Sequence, residues 1–202
     1  MADRKETDLA STQKLTPIAA PPPAGAPAGE DTPQFAAEQK RIEEMIAADA
    51  PLADILSELV LMIEAQSPEM ICSILLLSDD GNHVRHAVAP SLPENYLKVI
   101  DGSPIGPKQG SCGTAMFRGQ PVIVTDIATD PLWDDYRNFA WAINVAACWS
   151  TPIMSTKGKV LGSFAMYYRE PRGPKPDEQR LTDVATKLAA RAIEHTVART
   201  AQ

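Results

Sequence analysis

The sequence is poor in residues on which several large classes of protein depend. It has 3 cysteines and 3 histidines among 202 residues, and aromatic residues make up only 5%. An odd number of scattered cysteines argues against a disulfide framework and favours free thiols in a reducing compartment. Apolar runs such as 71–77 are far too short to cross a membrane, and the first residues lack the pattern of a signal peptide. We therefore expect a cytoplasmic protein without a membrane partner.

Positive charge is also scarce. Lys and Arg total 19 against 26 Asp and Glu, which gives a formal net charge of -7. Proteins that bind nucleic acid neutralise phosphates with clusters of Lys and Arg, so we expect no nucleic acid partner. His83 and His86 are three residues apart on an expected strand, where side chains alternate between faces, so they cannot share a metal ion. We expect neither a metal nor another cofactor.

The first part of the chain differs in composition from the rest. Residues 1–33 are dominated by Pro, Ala, Ser, Thr and charged residues, and they offer too little apolar surface to offset the entropy of ordering them. We predict a disordered tail at 1–33, a helix at 34–50 and one domain at 51–200. A second helix opens at Pro51, since apolar residues recur there at helical spacing. They are Leu52, Ile55, Leu56, Leu59, Met62 and Ile63.

The remaining patterns predict a sheet surrounded by helices. Five segments have the apolar and turn patterns of strands: 70–77, 84–89, 121–124, 146–154 and 160–168. Four others have helix patterns: 93–100, a helix capped by Ser111 and ending at 119, one from Asp130 to about 142, and 176–199. This order of elements fits an α+β fold in which helices cover an antiparallel sheet.

Five motifs carry a family resemblance. They stand, in order, at 110–115, 121–126, 130–136, 148–153 and 158–168. With these motifs the stretch 53–194 resembles a GAF domain, the small-molecule-sensing module of phosphodiesterases, phytochromes, histidine kinases and bacterial regulators. The resemblance implies a profilin-like sheet of five or six antiparallel strands, with the N- and C-terminal helices on one face and a ligand pocket on the other.

The resemblance also implies a sensory function in signal transduction. A small polar or anionic ligand would act through the terminal helices on a partner such as a histidine kinase or a second copy of the chain. The apolar stripes at 52–63 and 181–197 favour a homodimer that pairs as a helical bundle, although packing on the sheet accounts for part of each stripe.

Nine residues are candidates for ligand contacts. The first turn of a helix attracts anions, a face bearing Trp133 and Trp141 suits a pocket wall, and Arg137 supplies a positive charge. Two alternatives stay open: Ser111 merely caps its helix, and the aromatic face is ordinary core. The candidates are Ser111, Cys112, Thr114, Trp133, Tyr136, Arg137, Ala140, Cys148 and Ser150.

Cys112 and Cys148 support a competing hypothesis of a thiol-dependent enzyme or a redox sensor. They occupy places similar to two cysteines of the free methionine-(R)-sulfoxide reductase, an enzyme of the GAF family. The chain departs from that enzyme where Trp-Ser-Thr-Pro follows Cys148, and where Cys72 does not shortly precede Cys112. No His or Lys adjoins Cys148 to stabilise a thiolate. We therefore favour a binding module over an enzyme.

Overall fold

The computed structural model describes residues 32–93 and 98–200. Residues 1–31 of the tail predicted at 1–33 lie outside the described residues, so the tail stays a prediction. Of the helix predicted at 93–100, residues 94–97 lie outside the described residues and 98–100 are helical. The helices are α1 Pro33–Ala47, α2 Leu52–Glu64, α3 Gly110–Arg118, α4 Arg137–Ala142 and α5 Pro176–Thr200, and a 3-10 turn spans Pro131–Trp133. The strands are β1 Ile71–Leu77, β2 Val84–Val88, β3 Val122–Val124, β4 Ala147–Met154 and β5 Val160–Tyr168.

The strands form one antiparallel sheet in the order β2-β1-β5-β4-β3. The hairpin β1–β2 turns at 78–83, where Gly81 has a φ of 70° that favours glycine. The two longest strands, β4 and β5, pair along their whole length and place Cys148 opposite Tyr167. The predicted α+β class and the predicted antiparallel sheet are confirmed, and among residues 32–93 and 98–200 the sheet has five strands.

Each face of the sheet carries its own core, because successive side chains of a strand point to opposite faces. On one face α1, α2 and α5 pack over apolar residues that include Trp149, Phe164 and Tyr168. On the other face α3 and the 3-10 turn pack over residues that include Leu75, Cys148 and Tyr167. The terminal helices therefore share one face, as the resemblance implied.

Two helix predictions need correction. Ser111 does not cap α3, because the helix begins one residue earlier at Gly110, and the Ser111 hydroxyl bonds to other elements instead. The continuous helix predicted over 131–142 is broken into the 3-10 turn and α4. Asp130 caps the turn as predicted, since its side chain accepts from the Leu132 N–H at 2.8 Å. Its carbonyl, however, accepts from the Arg137 guanidinium at 3.1 Å, which competes with continued helical bonding.

Candidate functional site

A cavity of about 40 Å³ lies between α3, the 3-10 turn and the sheet. That volume holds about three water molecules. The wall combines apolar side chains with hydroxyl, thiol and amide groups, as small-molecule pockets do. Its lining residues are Leu75, Val84, Ile100, Ser103, Pro104, Gln109, Gly110, Ser111, Cys112, Gly113, Trp133, Tyr136 and Tyr167.

Ser111 ties three elements together at one side of this cavity. Its hydroxyl donates to the Cys148 carbonyl at 3.1 Å and accepts from the indole N–H of Trp133 at 2.9 Å. The Trp133 ring in turn meets Tyr136 edge-on, with 6.5 Å between ring centroids. These contacts fix the position of α3 relative to β4 and orient the aromatic wall.

Tyr136 and Gln109 close the opposite side. The Tyr136 hydroxyl donates to the Gln109 Oε1 at 2.5 Å. The backbone N–H of Gln109 donates to the Thr114 hydroxyl at 3.0 Å, so Thr114 holds the start of α3 rather than the cavity wall. Gly110 has a left-handed φ of 56°, which favours glycine at this turn into the helix.

Cys112 points toward a group of hydroxyls and a second thiol. Its Sγ lies 3.0 Å from the Ser150 Oγ and 3.7 Å from the Tyr167 hydroxyl. Hydrogen bonds, the strongest from Cys148, lower the pKa of the Cys112 thiol from 9.0 to about 7, although burial acts in the opposite direction. Burial and the neighbouring Cys112 raise the pKa of Cys148 well above 9.0, so Cys148 stays protonated and donates.

The sequence-predicted residues divide into two groups. Ser111, Cys112, Trp133 and Tyr136 line the cavity. Cys148 and Ser150 are buried on the same face of the sheet as Cys112, which confirms the predicted orientation of their strand. Direct contact of these residues with a ligand stays a prediction.

Arg137 and Ala140 lie away from the described cavity wall. The Arg137 Nε donates to the Ile127 carbonyl at 3.1 Å, and one Nη pairs with Asp134 at 2.8 Å. Ala140 is fully buried in the core. The expectation that Trp141 shares the face of Trp133 is wrong, because Trp141 is 58% exposed. The break before α4 is the reason, since the helical spacing that aligned the two residues does not apply across it.

Sequence reasoning missed Tyr167, Gln109 and Ser103. The Tyr167 hydroxyl lies 3.1 Å from the Ser73 Oγ and reaches the cavity floor. Strand alternation alone puts Tyr167 on one face of β5, but the pairing of β5 with β4 is needed to place it beside Cys148. Gln109 and Ser103 come from a loop with no periodic pattern.

The described part of the chain offers neither a metal cluster nor a membrane-spanning helix. Within 32–93 and 98–200, His, Cys, Asp and Glu do not converge in groups of three that suit a metal ion. Among those same residues, every helix is too short or too polar to span a membrane.

Comparison with known proteins gives one family. The sequence model of the GAF domain family matches residues 49–194. The methyl sulfide methyltransferase-associated sensor of Methanosarcina acetivorans is 37% identical over 157 residues, which are 78% of this chain but only 16% of that protein. The chain thus spans about a sixth of the length of this curated relative.

Solved structures agree in fold. The GAF domain of a phosphoenolpyruvate-protein phosphotransferase from Coxiella burnetii has a TM-score of 0.66 at 19% identity, covering 83% of this chain and 97% of that one. The free methionine-R-sulfoxide reductase of Neisseria meningitidis, in complex with its substrate, has a TM-score of 0.65 at 14% identity, covering 89% and 99%. Such identities bear on the fold alone. The family match over residues 49–194, which is more than half of the chain, establishes that this chain belongs to the GAF domain family.

Proposed function

We propose that this chain is a sensory domain of signal transduction, in which a small polar or anionic molecule binds the cavity beside Cys112. The observation that carries the proposal is that the two faces of the sheet differ in what they contact. A cavity with polar groups lies on one face, while the N- and C-terminal helices cover the other. The sensor named in the comparison supports the same assignment.

Strand β5 offers a physical connection between the faces. Tyr167 contributes to the cavity wall, and the next residue, Tyr168, points to the helical face. The Tyr168 hydroxyl donates to Glu178 of α5 at 2.9 Å. A ligand that moves Tyr167 therefore shifts a strand whose neighbouring side chain holds the first turn of α5.

Glu178 is the centre of a buried network at that first turn. Its carboxylate accepts from the Arg172 guanidinium at 2.8 and 2.9 Å and from the Lys175 N–H at 2.7 Å. The Arg172 guanidinium also lies over the rings of Tyr168 and Trp149, at 4.3 and 5.3 Å from their centroids. The network joins β4, β5 and α5, so a displacement of these strands would also displace the first turn of α5.

The helical face is where we place the partner. Leu61 on α2 is 48% exposed and Val197 on α5 is 60% exposed, so each helix carries an apolar side chain that the described residues leave uncovered. We propose that a second copy of the chain or a histidine kinase pairs with these helices, in the cytoplasm. Light scattering that returned only monomer at high concentration would remove the homodimer.

A thermal-shift screen tests ligand binding. The probes are nitrate, small carboxylates, amino acids, nucleotides and small neutral amides such as acetamide. A ligand at a hundred times its Kd stabilises the fold by about 2.7 kcal/mol, which a melting curve detects. Ser103→Leu places a large side chain at the cavity wall, and Ser155→Leu is its matched control in a remote turn. Each substitution removes one side-chain bond to backbone. The proposal is contradicted if no probe raises the Tm of the wild-type chain. It is also contradicted if a probe raises the Tm of Ser103→Leu as much as that of the wild type.

One observation favours a second candidate function, a thiol-dependent enzyme or a redox sensor. Cys112 and Cys148 lie next to each other around the Ser150 hydroxyl, and Cys112 is the more acidic thiol. In a sulfoxide reduction the two thiols would give up two electrons and two protons, the sulfoxide oxygen would leave as water, and a disulfide would form. A hydroperoxide would oxidise the pair in the same way, yielding an alcohol and water.

Turnover separates the enzyme from the binding module. Free methionine-R-sulfoxide is incubated with a thiol donor and the wild-type chain, Cys148→Ser or, as a control on the helical face, Cys72→Ser. Methionine formation that Cys148→Ser abolishes and Cys72→Ser retains would favour the enzyme. Equal background rates in all three proteins would favour the binding module.

A further inference from the structure

We infer that the cavity accepts a small uncharged molecule with a hydrogen-bond donor and discriminates against small anions of the same shape. The inference rests on the proposed function, since it narrows the ligand class of that same cavity. It follows from three features of the wall. The wall has no cationic side chain among the described residues, Cys112 occupies the positive end of α3, and several oxygen atoms can accept a further hydrogen bond.

Two cations that adjoin cavity residues in sequence, Lys108 beside Gln109 and Arg137 beside Tyr136, are paired outside the cavity. Lys108 pairs with one carboxylate oxygen of Asp134 at 2.6 Å and Arg137 pairs with the other at 2.8 Å. Among residues 32–93 and 98–200, the cavity wall carries no Lys, Arg or His. The sequence at 94–97 is Glu-Asn-Tyr-Leu and adds none. An anion in the cavity would lose water without gaining a cationic partner, which is strongly unfavourable.

The first turn of α3 is the one positive feature of the described wall, and Cys112 already uses it. Amides of a first helical turn attract negative charge. Cys112 lies in that turn, and the Ser150 and Tyr167 hydroxyls converge on its Sγ at 3.0 and 3.7 Å. These hydrogen bonds lower the pKa of the thiol, which favours the thiolate as the pH rises. The site thus stabilises its own thiolate, which repels a second anion.

The open lone pairs favour a ligand that donates. The Gln109 Oε1 accepts one hydrogen bond from Tyr136, and the Ser111 Oγ accepts one from Trp133, so each oxygen retains a second acceptor position. The Cys112 thiolate is a third acceptor on the same wall. An amide N–H or a hydroxyl group satisfies these atoms, whereas a carboxylate offers only further lone pairs.

Three probes of four heavy atoms separate charge from donor capacity. Acetamide is neutral and donates, nitromethane is neutral without an N–H or O–H group, and acetate is the anion. The readout is the indole N–H signal in a ¹⁵N–¹H spectrum of the full chain at pH 8 and constant ionic strength. The chain has 3 tryptophans: Trp133 lines the cavity, while Trp149 on the opposite face and the exposed Trp141 are internal references.

The expected result is a saturable shift of the Trp133 signal, with acetamide binding about tenfold or more tightly than acetate, and nitromethane between them. Acetate that binds as tightly as acetamide would overturn the inference and leave the proposed function standing. If neither these probes nor any compound of the thermal screen moves the Trp133 signal, the proposed function fails and the inference fails with it.

Cys112→Ser tests the thiolate directly. The variant replaces a thiol of lowered pKa by a hydroxyl that stays neutral. The ratio of the acetate Kd to the acetamide Kd should therefore fall by about fivefold. Cys72→Ser, fully buried on the helical face, is the matched control and should leave the preference unchanged. An unchanged preference in Cys112→Ser would contradict the thiolate argument, and so would an equal narrowing in both variants.

Discussion

The Glu178 network makes a sharp prediction about stability. Glu178 is 7% exposed, and Glu178→Ala would remove the acceptor that the Tyr168 hydroxyl, the Arg172 guanidinium and the Lys175 N–H share. Breaking a buried ion pair from one side costs about 3–5 kcal/mol, because the remaining charge stays buried without a partner. The Arg172 side chain is only 13% exposed, so solvent compensates for little of this loss.

The measurement is urea unfolding followed by circular dichroism, with calorimetry in parallel. A domain of this size loses about 2–4 °C of Tm for each kcal/mol, so Glu178→Ala should melt about 6–20 °C lower than the wild type. The double variant Arg172→Met with Glu178→Leu is the control. It removes both charges, and it should recover most of the loss because apolar replacement of a buried pair is often neutral.

Two outcomes would refute this reasoning. A loss below about 1 kcal/mol in Glu178→Ala would show that the network behaves like an exposed surface pair. A double variant as unstable as the single one would show that the hydrogen bonds lost by the Tyr168 hydroxyl and the Lys175 N–H, rather than the unpaired charge of Arg172, account for the loss.

Three further predictions concern other parts of the chain. Hydrogen bonds lower the pKa of Cys112 to about 7, so its alkylation by iodoacetamide should accelerate as the pH rises, with a midpoint near 7. Cys148 should stay unmodified because its pKa is raised. Peptide mapping measures both cysteines, and a midpoint near 9 for Cys112 would contradict this prediction. Thr32→Ala removes the side chain that accepts from the Phe35 N–H at 3.2 Å and should cost about 0.5–2 kcal/mol in urea unfolding, and an unchanged midpoint would mean that α1 needs no cap. Trp141→Ser changes a side chain that is 58% exposed and should alter unfolding by less than about 0.5 kcal/mol, whereas a larger loss would place Trp141 in the core.

Strand and helix positions followed from the sequence where local chemistry decides them. The turn at 79–82 and the alternation along 146–154 predicted β1, β2 and β4 to within two residues of their observed ends. The cap at Asp130 was also local, since its side chain bonds two residues ahead. Such contacts depend on neighbours in the chain, which a sequence displays directly.

The misplaced features depend on distant contacts. Ser111 has the chemistry of a cap, but bonds to Cys148 and Trp133, far away in sequence, determine its actual role. Likewise, the break before α4 involves a bond from the Arg137 side chain to a backbone carbonyl seven residues earlier. The position of Tyr167 in the site depends on the order of the strands, and no pattern within β5 specifies that order.

The central claim is that an event in the cavity on one face of the sheet reaches α5 on the other. Amide hydrogen exchange over 176–200, with and without the tightest ligand of the thermal screen, tests it most directly. We predict changed protection in the first turns of α5, around Glu178, in the wild-type chain and none in Ser103→Leu. Changes confined to 103–113 and 133–136, with α5 unaffected, would contradict the account.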